Sequence, residues 1–146
     1  MKDKLADFAL LWLRVTAGLG LMIHGWLKLS QGVAVWADKA VVPLGFPVPM
    51  VFAWLAVATE VIGGFFLILG LWTRFSALMA TILLCVAAFG RGAGLPYISP
   101  GNPSKELALA YLVVVVSLLM TGPGRFSVDS GKRGGGGRAT PKKSKK

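Results

Sequence analysis

A chain of 146 residues has the length of one domain, but 55% apolar and 15% charged residues, with a positive mean hydropathy, depart from the composition of a soluble globular domain and favour residence in a bilayer. The formal charge of +10 resembles that of a nucleic-acid binder. Eight of the sixteen Lys and Arg residues follow Gly124, however, so much of the charge belongs to a tail outside the apolar body.

The first apolar run, Phe8 to Leu29, supplies the roughly 20 residues needed to cross about 30 Å of hydrocarbon. Lys2 and Lys4 precede it, as in a signal peptide, but the run is too long and carries Arg14, and no small-residue cleavage site follows it. The second run, about 50–72, is again of span length. Thr73 and Arg74 separate it from a third, about 75–90, and so short a connection predicts an antiparallel pair. The glycines and prolines of RGAGLPYISPGNPS mark a loop. The last run is short and is expected to start with Lys105 and Glu106, giving a span at about 105–121.

The predicted fold is therefore an all-α membrane protein, an antiparallel four-helix transmembrane bundle. Lys2, Lys4, Arg74, Arg125 and the tail would share one side and outnumber Lys28, Lys39, Arg91 and Lys105 on the other. The positive-inside rule then places both termini in the cytoplasm of a multi-pass protein of the cell (plasma or inner) membrane. Ser30 to Pro49 and Arg91 to Ser104 become the outer loops, where Trp26, Trp36 and Tyr97 suit the interface, with Trp12 and Trp72 at the other face. Residues 130–146 are too polar and glycine-rich to bury a core and read as a disordered basic cytoplasmic tail that touches anionic lipid rather than nucleic acid.

Cys85 is alone, which excludes an intramolecular disulfide or a CxxC pair, and His24 is the single histidine. A metal or haem centre held by this chain alone is therefore not expected. The chemistry has to come from ionisable groups inside the spans, each costing at least about 2.5 kcal/mol near the bilayer centre unless partnered. At 100° per residue Arg14, Gly18, Leu21, Gly25 and Lys28 share one stripe of the first helix. With the outer helix ends taken as level, Glu60 lies between Arg14 and His24 in depth. An Arg14–Glu60 ion pair is favoured over His24–Glu60, because a guanidinium cannot shed its charge. His24, Lys28, Glu106 and Tyr111 are expected to form a second polar cluster open to the outer side, suited to a quinone headgroup. The structural alternative is that Arg14 and Glu60 fix helix register and His24 only packs. Gly63 and Gly64 would allow close helix contact, and Asp129 would cap or anchor a turn.

The ordered set R-x3-G-x6-G-x2-K (Arg14 to Lys28, with His24-Gly25 inside it), E-x2-GG-x2-L-x-LG-x2-TR (Glu60 to Arg74), Glu106 and GPG-x-FS-x-D (Gly122 to Asp129) resembles the DoxX family of small four-span membrane proteins, over about residues 8–129. The resemblance implies a four-span membrane domain over residues 1–129 associated with redox metabolism, in a family named for a quinol oxidase subunit and with relatives in thiosulfate-to-quinone electron transfer. It implies no catalytic residue. The function expected is a subunit or accessory of a quinone-linked oxidoreductase, with a quinone but no intrinsic cofactor, a partner subunit and in some settings a homo-oligomer. A scaffold or assembly factor is the alternative, and a small transporter the third reading.

Overall fold

The computed structural model describes residues 2–100 and 103–133. The basic tail from residue 134 onward, read above as disordered, lies outside the described residues. Within them every regular element is a helix, with no strand. The helices are α1 (Lys2–Gln31), α2 (Val33–Ala40), α3 (Pro49–Leu69), α4 (Thr73–Arg91), α5 (Glu106–Thr121) and α6 (Val128–Arg133). Three of them, α1, α3 and α4, are long and apolar enough to cross a membrane, while α5 has 16 residues. The short helix α6 spans the position of the expected domain boundary at 129.

The boundaries follow from local chemistry. Pro49 opens α3, where a missing N–H costs nothing. Gly70, at φ 67°, closes it: the Leu71 amide donates to Phe66 O at 2.9 Å and the Gly70 amide to Leu67 O at 3.2 Å, the two bonds of a Schellman cap. Gly32, at φ 90°, breaks the path of α1 so that α2 can turn aside. Inside the region expected to be an outer loop, VAVWADKA thus forms a helix whose Val33 and Ala37, with Val41 just beyond it, pack on Ala53 and Val57 of α3. Their spacing at i, i+4 and i+8 is that of one helix face.

Two stretches depart from α geometry. Thr59–Gly63 of α3 and Val86–Arg91 at the end of α4 are π-helical, a widening that re-aims side chains and often accompanies a functional site.

The contact between α1 and α3 is built from absent side chains. A Cβ on Gly64 would stand 2.7 Å from Gly18 O and 2.9 Å from Met22 Cγ, and one on Gly25 would stand 3.0 Å from Glu60 Cβ. As numbering rises through 18 and 25 on α1, its partners on α3 fall from 64 and 68 to 60 and 61, so the two helices run antiparallel. The stripe expected on α1 is the buried one, with Arg14 at 1% and Leu21 at 2% exposure and Gly18 and Gly25 both buried. On the far side α4 packs on α5 through Ala77, Ala80 and Leu84 against Val115 and Leu118. Small residues make the first contact and contribute Ala77 and Ala80 to the second, as suits a setting where lipid tails give helices little hydrophobic reason to associate. Large side chains such as Trp12, Ile23, Trp26, Leu55, Ile82 and Val113 instead point outward.

Gly64→Val should lower stability by about 1–3 kcal/mol through overpacking, read as a fall in the unfolding midpoint of the detergent-purified protein. Gly63→Ala should be close to neutral, since its Cβ would meet Thr59 Cγ2 only at 3.9 Å.

Candidate functional site

Polar side chains gather at the two ends of the helical body. At the end carrying the start of α1 and the segment after α5, Arg14 donates to Pro123 O and, at 2.5 Å, to Phe126 O. The turn between α3 and α4 closes over it: a Cβ on Gly70 would collide with the Arg14 guanidinium and with Ser127 Cβ. Trp72 in that turn is held at φ 47°, costly for a non-glycine residue. Asp129 supports it. Its carboxylate accepts from the amides of Trp72 and Thr73 at 3.0 Å each and from Thr73 Oγ1 at 3.1 Å, while its own amide donates to Gly70 O at 3.0 Å. An acid remote in sequence therefore caps α4, where free amides and the positive helix end favour a carboxylate. Asp7 Oδ1, accepting from the Arg125 amide at 3.0 Å, fastens the same segment to α1.

At the opposite, loop-bearing end lies a cavity of about 750 Å³, within the size range of small-molecule sites. Lys28 Nζ stands 2.5 Å from Glu60 Oε1, with the two side chains only 15% and 8% exposed. The same ammonium lies 4.2 Å from the centre of the Trp36 ring, a cation–π contact. Glu60 Oε2 is buried with no hydrogen-bond partner. His24 and Tyr111 form another wall, their rings edge to face with centroids 6.2 Å apart, and Arg91 stands at the mouth. Most of the remaining lining is apolar, from α2, α3, α4 and α5. Both π-helical stretches border it, through Thr59 and Glu60 on one side and Val86, Ala87 and Arg91 on the other. One buried carboxylate thus faces a set of donors, with room beside them for a molecule with a small polar head.

The expected residues are divided differently from the sequence reading. Arg14 does not pair with Glu60: it serves backbone carbonyls at one end, while Glu60 pairs with Lys28 at the other. The helix ends are not level. Gly25 packs at Glu60, so Arg14 stands eleven residues away along α1, about 16 Å. His24, Lys28 and Tyr111 do share the cavity. Glu106 does not belong with them: it is exposed on the first turn of α5, 200° around the helix from Ala108, which lines the cavity. Trp36 and Arg91 join the site without having been expected there. The amphipathic spacing of Val33, Ala37 and Val41 held the signal for Trp36, by making α2 a helix that folds back. No spacing in the sequence announces the two π-helical stretches. Asp129 anchors a turn as anticipated, and the turn is the one between α3 and α4.

Glu60→Ala alone should destabilise the protein by about 3–5 kcal/mol, because it leaves the Lys28 ammonium buried and unpaired. Lys28→Met combined with Glu60→Leu should recover most of that loss in a double-mutant cycle of thermal unfolding. Asp129→Ala should cost about 1–2 kcal/mol through the lost cap and show as faster amide exchange at Trp72 and Thr73.

The DoxX family model matches residues 9–91, a stretch that holds Arg14, Gly18, His24, Lys28 and the whole run from Glu60 to Arg74. An uncharacterized protein of Haemophilus influenzae is 39% identical over 129 residues, covering 80% of this chain and 85% of its own. No solved structure matches. With more than half of its residues inside the family match and a relative aligned along most of both chains, this membrane protein belongs to the DoxX family.

Proposed function

We propose that the protein is the membrane subunit of a quinone-linked oxidoreductase, a four-span antiparallel bundle of the cell membrane with both termini cytoplasmic. In this reading it holds a quinone at the loop-end cavity for a partner subunit that carries the redox centre. The observation that carries it is the cavity itself: about 750 Å³, mostly apolar, with Lys28, Glu60, His24 and Tyr111 converging in it. Quinone carbonyls accept hydrogen bonds, and an ammonium, a phenol and an imidazole N–H are their natural donors. The flat ring needs an apolar slot, which α3 and α4 offer with Ala56, Leu83 and Ala87.

The residues fit such a ligand on two counts. The Lys28–Glu60 pair, with His24 and Tyr111, sets donors and a carboxylate acceptor together in the cavity lining. Lys28, His24 and Glu60 can give up or take a proton beside the ring. A bound quinone would supply two-electron carrier chemistry; the chain's own residues bind, orient and exchange protons with it.

The scaffold reading keeps one observation in its favour: Arg14, Asp129, Lys28 and Glu60 all have partners within the chain, so each also serves to hold helices together.

Titration of the detergent-purified protein with a short-chain ubiquinone should quench tryptophan fluorescence saturably, with Trp36 in the cavity wall as reporter. His24→Ala and Tyr111→Phe should each weaken binding by about three- to tenfold, the worth of one hydrogen bond. Glu106→Gln should leave it unchanged. Absence of saturable quenching would move the protein to the scaffold reading.

A further inference from the structure

A second recess, of about 570 Å³, lies at the Arg14 end, between the first turn of α4 and the segment after α5. Its lining includes Asp7, Trp72, Arg74, Phe75, Arg125 and Asp129. Arg74 and Arg125 are exposed, and among the described residues neither guanidinium has an ion pair or a hydrogen bond. Both carboxylates beside them are committed to the backbone: Asp129 accepts from the amides of Trp72 and Thr73, and Asp7 from the Arg125 amide. The Arg74 guanidinium lies against the end of α5, where a Cβ on Gly122 would stand 3.4 Å from its Nε. Behind Pro123, another lining residue, sits the buried Arg14, whose charge is met by carbonyl dipoles. Three guanidiniums thus gather beside two carboxylates that are already engaged. The first turn of α4, to which Arg74 and Phe75 belong, adds the positive end of a helix dipole. On the outward side Trp72 is 62% and Phe75 56% exposed, their rings edge to face with centroids 6.2 Å apart. Such rings settle at the headgroup level of a bilayer, which brings the two arginines to the depth of the lipid phosphates.

We propose that this recess binds a phosphate ester whose oxygens bridge Arg74 and Arg125, and that the ester belongs to the headgroup of an acidic lipid. A guanidinium presents paired N–H groups that match phosphate oxygens. An acidic head balances the excess positive charge of the recess, whereas a zwitterionic head would bring a cation of its own against the arginines. The acyl chains then lie along the outward face of Trp72 and Phe75. A soluble phosphate ester offers the same oxygens but nothing to those rings. The site belongs to the folded body rather than to the basic tail. It lies at the far end from the quinone cavity and stands independently of that reading.

Photolabelling of the full chain in nanodiscs tests the site. The probes are a phosphatidylglycerol and the matching phosphatidylcholine, each with a diazirine near the carbonyl end of one acyl chain. The phosphatidylglycerol probe should label the peptides holding residues 72–75 and 123–130 about tenfold more than the phosphatidylcholine probe, and unlabelled phosphatidylglycerol should displace it. Arg74→Gln and Arg125→Gln, both at exposed positions, should each lower that labelling by about tenfold, the worth of a hydrogen bond to a charged group. Displacement by glycerol 3-phosphate would support the phosphate site but overturn its assignment to lipid. Equal labelling by the two lipids, labelling that persists when both arginines are replaced, or labelling confined to residues 134–146 would overturn the site. The comparison of the two lipids uses the unaltered chain and decides the matter whether or not a variant folds.

Discussion

Gly18 and Gly64 bring two helix backbones together so closely that a single methyl group on either would strike the main chain of the other. In a bilayer, where burying apolar surface against a neighbour gains little over burying it in lipid, such backbone contact is among the few forces that fix how one helix lies along another. It determines the relative positions of the other groups. With Gly25 resting on Glu60 and Val61, Lys28 is one turn further along and reaches back to the carboxylate. In the other direction Arg14 comes level with Gly70, where a side chain of any kind would displace its guanidinium. A slip of one turn would place neither charge beside its partner.

The charged groups make that register costly to lose. An Arg or Lys buried in hydrocarbon without a partner is among the most expensive errors a membrane protein can make. Here the two ends solve the problem differently. Arg14 is neutralised in large part by dipoles, the carbonyls of Pro123 and Phe126, with Asp129 holding the neighbouring turn. Lys28 is met by a full charge and the face of an indole. The first arrangement leaves little chemistry available, because its donors and acceptors are fixed to backbone. The second sets Glu60, His24 and Tyr111 in the lining of an open cavity, which explains why the cavity rather than the Arg14 cluster carries the functional reading.

Much of the helical layout was legible in the sequence. Apolar runs of span length, Thr-Arg punctuation and Gly/Pro loops fall within a few residues of the observed ends, and the α1 stripe follows from periodicity alone. Charge partners were not legible, because pairing depends on how far two helices are offset, and the loops hide that offset. The assumption of level ends shifted Glu60 toward Arg14; the observed packing of Gly25 on Glu60 reverses it. Glu106 illustrates a second limit. Depth placed it beside Lys28, but depth says nothing of rotation, and its position around α5 turns it outward. The π-helical widening at Glu60 escapes any rule based on 3.6 residues per turn.

The Asp129 cap also orders events during synthesis. Chains emerge N-terminus first, so α1, α3 and α4 are all made before Pro123, Phe126 and Asp129 exist. Until those last residues leave the ribosome, the Arg14 guanidinium has none of its final acceptors and the amides of Trp72 and Thr73 have no carboxylate. The glycine contact between α1 and α3 can form before then, but the polar cluster around Arg14 is completed only by the final stretch of the described chain. The last acceptors of Arg14 and the cap of α4 thus come from the segment after α5, the last described part of the chain to be made.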